Sequence, residues 1–250
     1  MKKILRVALG VLENMLFLKR ELVWGKLYKD LPVNADCRVH EVVFDLIKNK
    51  CGSEKSLKVL DIATGTGAFA RRIADNFPGW DLEINDFEDR ALVVDFKKKK
   101  VDLNSRFNDQ FTEGGYDLVV ALEVIEHIEN PWNFIREVRG LLRKNGLLVL
   151  STPNIDSTID RLHYLINGHS FYFGESGYTN SVGHITPVPD WLFRKIVKTS
   201  GYSHVELNGA VDTSPHIGLF MILKLVLFMP FSGLYMRNKN NRSINIYLCS

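Results

Sequence analysis

The feature that most constrains this chain is a glycine loop followed, at a fixed distance, by an acid. The short apolar run Leu57–Ile62 opens directly into Asp61-Ile-Ala-Thr-Gly65-Thr-Gly67-Ala-Phe-Ala70, and the segment Ala68–Phe77 then has a helical pattern that Pro78-Gly79 stops. A strand, a glycine turn and a helix in that order form half of a βαβ unit. Glycines at the turn let the backbone approach a ligand without Cβ interference. The helix start beyond Gly67 offers unsatisfied N–H groups and the positive end of a dipole. Asp86 follows Gly67 by 19 residues, at the end of the next expected strand, Leu82–Asp86. An acid there is placed to accept both ribose hydroxyls of an adenosine-containing cofactor.

Two cofactor classes fit this loop, a nicotinamide dinucleotide and S-adenosylmethionine. The first needs helix-terminal N–H groups for a diphosphate. The second carries an ammonium and a sulfonium instead. Asp61 at the strand end favours the second, because a carboxylate suits an ammonium group and repels a diphosphate.

The remainder of the chain continues the alternation. Val101–Leu103 reads as a weak strand, and Tyr116–Leu122 (YDLVVAL) as a buried parallel one. Pro131–Arg143 reads as a helix with proline in its first turn. Asn145-Gly146 makes a turn, and Leu147–Ser151 the next strand. Trp191–Thr199 is expected to be helical, with strands at Tyr202–Leu207 and Ile244–Leu248, the last pairing at the sheet edge. Residues 1–31 and the stripe Val39, Val42, Val43, Leu46, Ile47, with Asn34 at its N-cap position, predict helices covering the sheet. The expectation is a doubly wound, Rossmann-like α/β fold: seven strands, mostly parallel, the last antiparallel. One domain spans 1–250, with an N-terminal helical cover (1–50), a lid or substrate-loop insertion (152–190) and an apolar C-terminal insertion (209–243).

These segments resemble the class I S-adenosylmethionine-dependent methyltransferases, and among them the ubiquinone-pathway O-methyltransferases. The resemblance rests on VLDIATGTG (59–67), VDLN (101–104), YDLVVALEVIEHIENP (116–131) and LLVLSTPN (147–154). It implies that Asp61, Gly65 and Gly67 surround the methionine end of the cofactor, Asp86 the ribose, and Asp102 with Leu103 the adenine edge. Leu122 and Glu123 would lie near the strand end facing the cofactor. Ala63 stands where the family pattern has its first glycine, and Asn145 replaces a glycine of the usual Pro-Gly-Gly turn.

Glu123, Glu126 and His127 follow the YDLVVAL strand at once. On a helix, positions i, i+3 and i+4 share a face, which would aim both carboxylates and the imidazole at one place. The functional expectation is catalytic: His127 as the base that deprotonates an acceptor hydroxyl. The plainer alternative is a turn organised by hydrogen bonds. A cation site made of the same three residues with His184 is a third reading. The small-RNA terminal 2′-O-methyltransferases have a similar Glu-x-x-Glu-His segment with a distant histidine, and bind magnesium there. The expected site carries no metal. His40, His163, His169, His204 and His216 are read as structural or exposed. Phe171, Tyr172, Phe173 and Tyr178 either line an acceptor pocket or pack the lid.

Composition bounds the partners. With 32 Lys and Arg against 29 Asp and Glu, and the densest basic run (Lys97–Lys100) lacking interleaved aromatics, no nucleic-acid groove is expected. Cys37, Cys51 and Cys249 are odd in number and form no Cys-x-x-Cys pair, so neither a disulfide framework nor a thiolate zinc site is indicated, and a cytoplasmic location is expected. The start Met1-Lys2-Lys3 is followed by an apolar stretch broken by Arg6, Glu13 and Asn14, unlike a signal peptide. Ile217–Phe231 (IGLFMILKLVLFMPF) is apolar but shorter than the roughly 20 residues that cross a bilayer. It predicts a buried helix, or alternatively peripheral membrane contact or a surface for a lipid-like acceptor. The expected reaction is O-methylation of a small molecule, sugar or lipid-linked intermediate. A different methyl acceptor, a nicotinamide-dependent oxidoreductase and a non-catalytic cofactor-binding protein are the rivals.

Overall fold

The computed structural model describes residues 27–35, 38–87, 96–111, 115–175, 183–210 and 242–250. The expectations for residues 1–26, Tyr178, His216 and the apolar stretch 217–231 lie outside them. Seven strands form one sheet: β3 (Lys58–Ile62), β4 (Asp81–Asn85), β5 (Lys97–Lys99), β6 (Tyr116–Leu122), β7 (Leu142–Pro153), β8 (Val205–Ala210) and β9 (Ile244–Cys249). Their spatial order is β5-β4-β3-β6-β7-β9-β8. All neighbours among the first five in that order are parallel, whereas β9 runs antiparallel to both β7 and β8. The expected mostly parallel sheet with an antiparallel last strand is therefore present.

Alternation along the central strands divides the core into two layers. Leu60 and Ile62 of β3, Val119 and Ala121 of β6, and Leu148 and Leu150 of β7 face helices α3 (Pro131–Leu141) and α5 (Asp190–Thr199) through Phe134, Ile135, Val138, Phe193 and Ile196. Val59, Leu118, Val120, Leu147 and Val149 face α1 (Val39–Cys51) and α2 (Ala68–Asn76) through Val39, Val43, Ile47 and Ile73. Strands buried on both faces read as continuous apolar runs, which is why β3 and β6 stand out in the sequence. From β3 the chain winds outward through β4 and β5. It then returns to β6 beside β3 and winds the other way. That reversal opens a crevice outside the carboxyl ends of β3 and β6, where open α/β sheets bind ligands.

Five expectations are corrected. Leu27–Tyr28 (β1) and Leu31–Pro32 (β2) form a two-stranded antiparallel hairpin rather than a helix end. Helix α1 starts at Val39 with Arg38, not Asn34, at its N-cap position. The third strand is the lysine run Lys97–Lys99, not Val101–Leu103. Lys97 and Lys99 pair with Asp81 (3.6 Å) and Glu83 (3.5 Å) of β4, and a lysine-rich edge discourages pairing with another chain. The segment read as a loop lid carries a helix, α4 (Thr158–Asn167), capped by the Ser157 hydroxyl and closed by Gly168 at φ 78°. Strand β9 lies inside the sheet, and β8 is the edge. Asn145 keeps the left-handed conformation expected of it (φ 66°), but within β7.

Candidate active site

The glycine loop leaves β3 at Asp61 and enters α2 at Gly67, whose φ of 84° makes it the N-cap residue. Ala63 (φ 53°) and Gly65 (φ 57°) are also left-handed. A Cβ built on Gly65 would have no atom within 4 Å, so the loop backbone faces open space. The Gly65 amide donates to the Asp86 carboxylate at 2.9 Å, tying the acid at the end of β4 to the loop. Asp61 is buried and accepts from the Thr64 hydroxyl at 2.6 Å. Burial pushes its carboxyl up to about 7; the Thr64 bond opposes the rise and Asp86 adds to it. An ammonium group in the loop would relieve that penalty by pairing the charge.

Asp102 and Leu103 follow β5 along the loop toward the Asn108–Gln110 turn. Asp102 is exposed and accepts from the Asn104 amide at 2.9 Å. Leu103 is in the core beside Phe107. Leu122 is half-buried at the end of β6.

Beyond β6 the helix assumed for Glu123, Glu126 and His127 is absent. Glu123 is left-handed (φ 53°), and the turn that follows is a single 3-10 turn, Ile125–His127. The three side chains consequently do not share one helical face. Glu123 receives the Ser151 hydroxyl at 2.7 Å, and its amide is bonded to Ser151 in return. Glu126 is fully buried; its Oε2 accepts from the Thr152 hydroxyl at 3.0 Å, and its Oε1 has no hydrogen-bond partner among the described residues. Burial, reinforced by the nearby Glu123, holds the Glu126 carboxyl well above the ordinary carboxylate range.

The partner that joins Glu126 and His127 is His184. The Ile185 and Thr186 amides both donate to the Glu126 carbonyl, at 2.9 and 3.0 Å, and the Thr186 hydroxyl donates to Ile128 O at 2.5 Å. These bonds clamp the segment after residue 182 onto the turn. The imidazoles of His127 and His184 meet edge to face with centroids 4.8 Å apart. His127 Nδ1 lies 3.2 Å from Gly183 O, and His184 Nδ1 lies 3.0 Å from Tyr172 O. A carbonyl only accepts, so both Nδ1 atoms carry a proton. Burial, with His127 beside it, pulls His184 down to about 4 and keeps it neutral. Phe173 packs on His184 with ring centroids 5.4 Å apart, which gives that aromatic a packing role. Ser151 and Thr152, which hold the two carboxylates, escaped the sequence reading; the available signal was a pair of hydroxyl residues ending an apolar strand.

A known family model, described as a methyltransferase domain, matches residues 36–206. The chain belongs to that family. A ubiquinone biosynthesis O-methyltransferase from Rickettsia felis is 30% identical over 118 residues, covering 46% of this chain and 48% of that protein. A malonyl-[acyl-carrier protein] O-methyltransferase from Halalkalibacterium halodurans is 29% identical over 129 residues, covering 46% of each chain. The chain thus spans about half the length of the curated relatives it matches. Among solved structures, a SAM-dependent methyltransferase from Archaeoglobus fulgidus superposes with a TM-score of 0.55 at 16% identity, over 84% of this chain and 94% of that one. Coclaurine N-methyltransferase gives 0.58 at 13% identity, over 91% and 78%. At such identities the structures share a fold.

The family's cofactor is S-adenosylmethionine, and the loop fits it. Gly65 leaves the backbone open to a ligand, Asp61 offers a carboxylate that gains from a cationic partner, and Asp86 ends the adjacent strand where a ribose diol would be held.

Proposed function

We propose that this domain transfers a methyl group from S-adenosylmethionine to an oxygen of a small-molecule or lipid-linked acceptor. The observation that carries the reading is the cluster of His127, His184 and the buried Glu126, whose side-chain nitrogen and oxygen atoms lie within 4.8 Å of one another beyond the carboxyl end of β6, the strand beside β3. The sulfonium supplies an electrophilic methyl group. The acceptor oxygen forms the new C–O bond as the C–S bond breaks, and the hydroxyl proton must leave. A hydroxyl is a poor nucleophile until that proton is loosened, so basic atoms on the acceptor side have a function here. The chain's other tasks are to hold the acceptor in line and keep water out. The curated relatives named above are both O-methyltransferases, which supports oxygen over nitrogen or carbon. The run 217–231, which falls in sequence between β8 and β9, is apolar at all but one lysine, a composition that favours an apolar acceptor.

The test is incubation with ¹³C-methyl-labelled cofactor and a panel of phenols, carboxylates, amines and polyprenylated phenols. The carbon shift of the transferred methyl distinguishes O–CH₃ from N–CH₃ and C–CH₃. Label on nitrogen or carbon alone would overturn the reading. Flotation with anionic and neutral vesicles tests the membrane-contact expectation separately, and complete absence from the lipid fraction ends it.

A further inference from the structure

We propose that Asp160, on helix α4, is a positioning residue for the acceptor side: it holds the strap 170–172, whose last carbonyl fixes the ring of His184. The Asp160 carboxylate is buried, and one of its oxygens, Oδ1, accepts from both the Ser170 hydroxyl and the Phe171 amide at 2.7 Å. The Ser170 hydroxyl oxygen in turn accepts from the Tyr172 amide at 3.3 Å. The Tyr172 carbonyl lies 3.0 Å from His184 Nδ1. A short relay of hydrogen bonds thus runs from the helix to the imidazole.

The helix end that carries Asp160 is itself tied to the sheet. Asp160 sits in the first turn of α4, and its own amide donates to the Ser157 hydroxyl at 3.1 Å. The Ser157 amide donates to Asn154 O and the Asp156 amide to Asn154 Oδ1, both at 3.1 Å. Asp156 Oδ2 accepts from the Asp190 amide at the start of α5, again at 3.1 Å. Asn154 follows β7 directly, so α4 starts from the strand whose Thr152 holds Glu126. Burial pushes the Asp160 carboxyl up, and its bonds to the strap oppose the rise. Capping the helix needs only Ser157. A buried acid that gathers two donors from one strap serves the strap.

What the strap decides is which ring nitrogen of His184 carries the proton. The ring stands between two acceptors. Tyr172 O lies at Nδ1, and Glu126 Oε1, without a hydrogen-bond partner among the described residues, lies 4.0 Å from Nε2. A neutral imidazole has one proton, and the hydrogen bond made by one nitrogen sets the state of the other. With Tyr172 O in place the proton sits on Nδ1, and because burial keeps the ring neutral, Nε2 holds the lone pair. If the strap shifts, Nδ1 loses its acceptor, and a small movement of the ring lets Nε2–H donate to Glu126 instead. The lone pair then faces the strap, and His184 is no longer a base toward the cluster. Asp160 acts through Tyr172 to hold the first of these two tautomers. The use of Nε2 as a base rests on the O-methylation reading above; the hold on the ring does not.

The test is long-range ¹H–¹⁵N magnetic resonance on the full chain labelled with ¹⁵N-histidine, in which the two ring nitrogens report which one carries the proton; the signals lost in His184→Gln assign the ring. The wild type should show Nδ1–H at His184. Asp160→Ala should move that proton to Nε2 and lower kcat with the methylated acceptor of the panel above by about 10²-fold, the scale of a misplaced catalytic group. Its affinity for S-adenosylhomocysteine, read by calorimetry, should stay at the wild-type value and show that it is folded. Asp160→Asn keeps an acceptor oxygen and should retain Nδ1–H and most of the rate. Ser157→Ala weakens the helix cap without touching the strap, so its melting temperature should fall while Nδ1–H stays. Should Asp160→Ala fail to fold, Ser170→Ala, which removes the link to the Tyr172 amide, replaces it with the same expected shift. Nε2–H in the wild type, Nδ1–H or a wild-type rate in the folded Asp160 or Ser170 alanine variant, or an equal shift in Ser157→Ala would each overturn the proposal. A shifted proton with methyl transfer to nitrogen or carbon would leave the hold on the ring standing and sink the O-methylation reading. An unshifted proton with transfer to oxygen would do the reverse.

Discussion

Replacing Gly65 with alanine separates the backbone cost of the glycine loop from its ligand-binding role. Gly65 is left-handed (φ 57°), and a Cβ there meets nothing within 4 Å. The folded protein therefore loses only the left-handed penalty, about 1–2 kcal/mol for an L residue, partly offset by about 0.4–1 kcal/mol from the stiffer unfolded chain. A net loss of about 1 kcal/mol lowers the melting temperature of a chain this size by about 2–4 °C. Gly168 (φ 78°) and Gly201 (φ 88°) are matched controls, being equally left-handed and equally open. Gly168 ends α4 and Gly201 follows α5, so neither belongs to the cofactor loop. All three alanine variants should melt within a few degrees of one another. Only Gly65→Ala should lose cofactor affinity, because its methyl group occupies room into which the ligand must come. Forcing a methyl into a filled contact costs about 1–3 kcal/mol, which is about 5- to 150-fold in Kd. Differential scanning fluorimetry and calorimetry with S-adenosylhomocysteine supply the two numbers. Unchanged affinity in Gly65→Ala, or an equal loss in Gly168→Ala, would refute the assignment of this loop to the cofactor.

Asp86→Ala should weaken S-adenosylhomocysteine binding by about 10- to 150-fold, since a hydrogen bond to a charged group is worth about 1.5–3 kcal/mol; unchanged calorimetry would remove Asp86 from the ribose. Glu137, nearly buried on α3, receives the Phe107 and Asn108 amides at 2.9 Å each. Glu137→Ala strands both donors and should cost about 2–4 kcal/mol, a drop of about 5–15 °C with cofactor affinity retained in the folded fraction. Buried His40 packs edge to face on Phe69, and burial pulls its imidazole down to about 4. It stays neutral in the native state while the unfolded chain takes up a proton below about 6.5. Its contribution is therefore complete above pH 6.5 and declines by about 3 kcal/mol as pH falls toward 4. His40→Leu should lack that slope, so the difference in denaturant stability between the two proteins should itself change as pH falls from 6.5 toward 4; equal slopes would place the titration elsewhere.

The two sides of the site differ in how far they could be read from the sequence. The cofactor side was legible because it is local: β3, the glycine loop, α2 and Asp86 follow one another within a single winding of the chain, and each link constrains the next. Edge strand β5 was not legible, because three lysines form a strand only through hydrogen bonds to β4 and the acids opposite them, which no periodicity encodes. The proposed acceptor side is assembled from the end of β6, the end of β7 and residues 183–186. Spacing identified Glu126 and His127 but chose the wrong geometry, since i, i+3, i+4 reasoning holds only on an α-helix. The left-handed Glu123 and a single 3-10 turn send one carboxylate to Ser151 and leave the other for His184. His184 carries no local pattern linking it to that turn; its place follows from Ile185 and Thr186 donating to Glu126 O. A site whose members are joined by backbone hydrogen bonds between distant segments can exchange its acceptor chemistry without disturbing the glycine loop. One fold hosts many chemistries through its sites, and on the proposed reading the acceptor of this chain is set at His127, His184 and Glu126 rather than in the loop.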